Sequence, residues 1–94
     1  MAEKHYVGEI NTEIKVDCGV DVSSATVKKI YLKKPNGVIL EKIPTVYNGR
    51  YLRFFTILGD LDISGEYELQ VYLEMTGWTG RGQTARFVIF DTFD

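Results

Sequence analysis

The side chains able to do chemistry in this chain of 94 residues are few and scattered. There is one histidine, His5, and one cysteine, Cys18. A zinc site needs about four ligands. These two fall in separate segments without companions, so no metal and no other cofactor is expected. A triad of His5, Ser23 or Ser64 and an aspartate lacks any nucleophile-elbow sequence. His5 reads instead as a partly exposed residue at the start of a strand. Asp60 and Asp62 flank Leu61. Neighbouring carboxylates serve as glycosidase acid and base, or help bind calcium. In a turn the same side chains accept bonds from nearby backbone N–H groups, and the turn is the reading adopted. Gly77-Trp78-Thr79-Gly80-Arg81-Gly82 contains Gly-x-x-Gly. No helix follows it, so it makes no phosphate cradle. Two readings of this loop stay open. One is an exposed binding tip built on Trp78 and Arg81, residue types enriched at interface hot spots. The other is a cover, with Trp78 folded over the open end of a sandwich. No catalytic residue emerges, and the chain is expected not to be an enzyme.

The elements that must position these residues all read as strands. Gly65 to Glu74 alternates Tyr67, Leu69, Val71 and Leu73 with Glu66, Glu68, Gln70 and Glu74, the pattern of a half-buried strand. Its approach, Asp60 to Gly65, reads as a corner. His5 to Ile10 is a short first strand at an edge. Glu13 to Cys18 places Ile14, Val16 and Cys18 inward. In Thr26 to Lys33 the alternation breaks, which predicts a bulge near Lys28-Lys29. Lys34-Pro35-Asn36-Gly37 is the strongest turn signal and closes a hairpin onto Val38 to Lys42. Pro44 makes Ile43 to Tyr47 an edge or crossing segment. Asn48-Gly49 predicts a two-residue hairpin into Arg50 to Ile57, with Leu52 and Phe54 inside. Gln83 to Phe90 is the last strand, with Ala85, Phe87 and Ile89 inward. About seven strands with turns every 8–12 residues and no helical period predict a single all-β domain over residues 1–94, an antiparallel sandwich.

Composition excludes several classes. Hydrophobic residues at 45 % and charged residues at 26 % are a globular balance, so disorder is not expected. No apolar run approaches the roughly 20 residues that span a bilayer, and membrane insertion is not expected. No signal peptide is visible. A net charge of −2 argues against nucleic acid as a partner. Residues 1–59 hold nine basic and six acidic groups, and residues 60–94 two and seven. That asymmetry predicts Lys-rich and Glu-rich strands side by side. One cysteine allows no intrachain disulfide; Cys18 is expected to be a small core residue.

The corner resembles one that leads into the penultimate strand of immunoglobulin-like domains. There a Tyr near the strand start bonds backbone a few residues upstream. Tyr67 would take that role, with Asp60, Asp62 and Gly65 shaping the corner and the acceptor expected near Asp60 to Asp62. Leu69 stands where the family often has Cys. The order of a short first strand, the Lys-Pro-Asn-Gly hairpin, aromatic Arg50 to Ile57, Gly59-Asp60-Leu61-Asp62 with Gly65-x-Tyr67, then Trp78-x-Gly80 and a final Phe-Val strand resembles more. It is similar to the small immunoglobulin-like domains of tailed-bacteriophage and prophage virion proteins, of tail or baseplate type. That resemblance implies a structural role through contacts with other virion proteins or with itself, and no enzyme activity. It further implies synthesis in bacterial cytoplasm and release by lysis. The alternative is a module that binds a carbohydrate or host surface, with Trp78, Tyr72 or Tyr47 as stacking platforms. The candidate interaction residues are Trp78, Arg81, Tyr72 and, in the tail beyond the last strand, Phe93.

Overall fold

The computed structural model describes residues 5–82 and 84–91. These form nine strands and no helix: β1 (His5–Tyr6), β2 (Glu13–Asp17), β3 (Val27–Lys33), β4 (Ile39–Lys42), β5 (Thr45–Tyr47), β6 (Tyr51–Phe55), β7 (Gly65–Met75), β8 (Trp78–Arg81) and β9 (Ala85–Phe90). One sheet runs β1-β9-β7-β3-β4, with β8 also paired to β7; the other runs β2-β6-β5. All pairings are antiparallel except β1 with β9.

Strand β7 is the centre because its period-two pattern is nearly unbroken over eleven residues. Tyr67, Leu69, Val71 and Leu73 are all buried. Strand β3 lies beside it, with Ile30 opposite Val71 and Leu32 opposite Leu69. Leu52 and Phe54 of β6 meet them from the other sheet, and Val22, Leu61 and Ile89 complete one core. Burial of each such side chain favours the folded state by roughly 1.5–3 kcal/mol, which is what holds the two sheets together.

Several expectations change. Strand β3 carries no bulge: its register with β7 runs unbroken from Val27 to Lys33. Lys28 simply occupies an inward position, and its stem lets the ammonium reach out to the Ala25 carbonyl at 3.0 Å. The presumed loop after β7 is a hairpin, with Met75 opposite Trp78 across Thr76-Gly77 and β8 formed from Trp78–Arg81. The first strand is two residues long, not six, and the last begins at Ala85. Strand β9 lies between β1 and β7. Ala85 faces inward opposite Leu69 yet is exposed, because the sandwich is open there. The Asn48-Gly49 connection has three residues between Tyr47 and Tyr51, and Asn48 and Gly49 both take positive φ. The Lys-rich strand β3 does lie beside β7, but the ion pairs reach elsewhere. Lys29 meets Glu41 of β4 at 3.2 Å, and Arg86 of β9 lies 3.7 and 3.6 Å from Glu66 and Glu68.

Candidate functional site

At the corner the Tyr67 hydroxyl donates to the Ile63 carbonyl at 2.6 Å, one residue beyond the expected stretch. The ring is fully buried and stacks on Phe87, with centroids 5.4 Å apart. Asp60 is buried; its carboxylate accepts from Lys42 at 2.7 Å and from the Ile57 N–H at 2.9 Å. Asp62 pairs with Lys34, whose ammonium also donates to the Gly59 carbonyl at 2.9 Å. The hydrogen bond from Lys34 holds the Asp62 carboxyl below its ordinary value. Gly65 has φ +131°, and a Cβ there would meet Pro35 Cγ at 2.9 Å, so the 34–37 turn seats directly on the corner. Each carboxylate is thus held by a lysine or a turn N–H, the arrangement of a structural corner.

The loop readings for Trp78 meet in the middle. Its position opposite Met75 turns it to the inner side, where it rests on Gly80, and it remains about half exposed. It lines a groove of about 840 Å³ with Val16, Cys18, Val20, Val71, Leu73 and Met75. This groove lies between the end of β2 and the β7–β8 hairpin. Cys18 sits half-buried in that wall, and burial pushes its thiol above the ordinary value, which makes it a poor nucleophile.

Arg81 and Tyr72 lie opposite each other on the outer face. The guanidinium sits 4.9 Å from the Tyr31 ring centroid and 5.6 Å from that of Tyr72, and it donates to Gln70 Oε1 at 3.3 Å. The Tyr72 hydroxyl donates to Glu74 at 2.6 Å, which raises its pKa. Trp78 and Arg81, joined in one binding tip in the sequence reading, therefore lie at positions of opposite facing, although Arg81 also borders the groove. Tyr47 lies on the outer face of the other sheet, beside Tyr51 at 6.3 Å, with Lys15 and Arg53 each 4.8 Å from its ring centroid. Phe93 lies outside the described residues.

One surface escaped sequence reasoning. Leu58, Ile43, Ile57 and Ile10 are 87, 71, 61 and 58 % exposed. The segments that carry them are tied together at the corner end: Lys42, next to Ile43, bonds Asp60, which also holds the Ile57 N–H, while Asn11, next to Ile10, donates to the Thr56 carbonyl. The only signal was apolar residues abutting turn residues, as in Ile57-Leu58-Gly59. Among the described residues, no group of three His, Cys, Asp or Glu side chains is placed to hold a metal. Comparisons with protein-family models, curated proteins and solved structures find no match for the chain.

Proposed function

We propose that the chain is an immunoglobulin-like module without catalytic activity that works as a structural part of a phage or prophage virion, of tail or baseplate type. The observation that carries the assembly role is the exposed apolar end formed by Ile10, Ile43, Ile57 and Leu58. A contiguous exposed apolar patch of more than a few hundred Å² marks an interaction surface, and these four residues, on segments tied together at the corner, are the candidates for one. The strand order supports the immunoglobulin-like part. Strands β2-β6-β5 follow the order B-E-D, and β9-β7-β3-β4 follow G-F-C-C′. The Tyr67 to Ile63 bond has the form of the corner in that family. The virion assignment, and with it synthesis in bacterial cytoplasm and contacts with other virion proteins, rests on the sequence resemblance alone.

The test is Leu58→Glu and Ile43→Glu, introduced singly into the encoding phage or prophage. Both sites are exposed, so stability should change by no more than about 0.5 kcal/mol. Loss of the chain from assembled particles is expected. Folded variants that enter particles at wild-type level would reject the apolar end as the contact. A second reading, a host-surface glycan site, is favoured by the Tyr31, Tyr72, Arg81 and Gln70 cluster, which offers rings beside polar groups. Glycan-array binding that disappears in Tyr72→Ala while assembly is intact would select it.

A further inference from the structure

We propose that β2 is a self-association edge, at which two copies join β2 to β2 in antiparallel register about Val16. This deepens the assembly reading by naming one partner, a second copy of the chain.

Among the described residues β2 pairs on one side only, with β6. The Cys18 N–H bonds the Arg50 carbonyl at 2.9 Å. In an antiparallel ladder the bonded positions alternate, so the even residues of β2 serve β6. The backbone groups of Glu13, Lys15 and Asp17 point to the open edge. Such an edge templates another strand unless it is blunted by charge, Pro, a bulge or short length. The other edges carry such devices. Strand β4 runs into Pro44, β5 has three residues, β1 has two, and β8 has four with a glycine among them. Strand β2 is five residues long, regular, and free of Pro, and its outward charges, Glu13, Lys15 and Asp17, are of both signs, so they oppose a strand of single charge but not a second copy of β2.

Charge selects both the partner and the register. Antiparallel pairing centred on Val16 sets Lys15 opposite Asp17 of the second copy, twice by symmetry. Centring on Lys15 instead would set Lys15 against itself and Glu13 against Asp17, which is unfavourable. A register centred on Ile14 also matches Glu13 with Lys15. Its outer pair would take in Asn11 (φ 60°), just as the outer pair of the Val16 register takes in Gly19 (φ 75°), so the groove separates the two. The Val16 register also brings the mouths of the two grooves together. Val16 and Cys18 line that mouth, and Val20 and Trp78, 54 and 47 % exposed, flank it.

The test is sedimentation equilibrium of the full chain over a wide concentration range. A concentration-dependent dimer is expected. Lys15→Pro removes an outward N–H and leaves the bonds to β6; Lys15→Glu faces Asp17 with like charge. Each should raise the dimer dissociation constant about tenfold or more, with the circular-dichroism spectrum unchanged. A wild-type chain monomeric at every concentration, or a folded Lys15→Glu variant that dimerises as wild type, would overturn the proposal. Neither result bears on whether the chain enters particles, so the two readings fail separately.

Discussion

Replacing Tyr67 with Phe removes one oxygen and leaves the ring, its burial and its stack on Phe87 in place. What is lost is the bond to the Ile63 carbonyl at 2.6 Å. A buried carbonyl stripped of its donor costs about 1–3 kcal/mol. Ile63 is only partly buried, so water compensates in part, and about 1–2 kcal/mol is expected. For a domain of this size each kcal/mol lowers Tm by about 4–8 °C. Urea denaturation should show a lower midpoint with an unchanged slope. Alkaline pH supplies a second readout. Burial raises the Tyr67 phenol above its ordinary value, so the folded state keeps a proton that the unfolded chain releases. Its contribution is complete below the unfolded pKa of about 10 and is lost as pH rises through the folded pKa. The Phe variant should lose less stability on alkaline titration. A wild-type urea midpoint in Tyr67→Phe would refute the corner as a stabilising bond.

Leu69→Ala should cost about 2–5 kcal/mol, while Glu68→Ala and Gln70→Ala should stay within about 0.5 kcal/mol; urea midpoints distinguish the two faces of β7. Asp60→Asn should cost about 3 kcal/mol or more, because it leaves the largely buried Lys42 ammonium without its counter-charge; calorimetry would read this as a lower Tm. Acid should destabilise the fold. Hydrogen bonds from Arg50 and Lys34 hold Asp17 and Asp62 below their ordinary values, so their contribution is present above the unfolded carboxylate pKa and lost as pH falls through the lowered folded values. Urea midpoints taken at decreasing pH should fall in wild type and fall less in Asp62→Asn.

The strand β7 was legible because every inward residue from Tyr67 to Leu73 is apolar and, apart from Tyr72, every outward one is polar. Strand β8 was not, because its inward position 80 is glycine and Gly77 and Gly82 flank it, which mimics a loop. Lys28 hid the phase of β3, since a long stem can start inside and end in water. The corner carboxylates were legible as turn chemistry, but their lysine partners come from β4 and from the turn before it, and only the tertiary fold brings them there. The Tyr31 to Arg81 contact likewise depends on β7 pairing with β3 on one side and β8 on the other. The apolar end was illegible for a related reason. Ile10, Ile43 and the Ile57-Leu58 pair sit in three separate stretches, each next to a turn, and period-two patterning reports only on strands.

The assembly role is tested most directly by locating the chain itself. Particles sedimented from an induced culture of the encoding bacterium and purified on a density gradient would be analysed by quantitative mass spectrometry. The account predicts this chain in the particle fraction at a fixed ratio to the other particle proteins. Its confinement to the soluble fraction, with intact particles lacking it, would contradict the structural role.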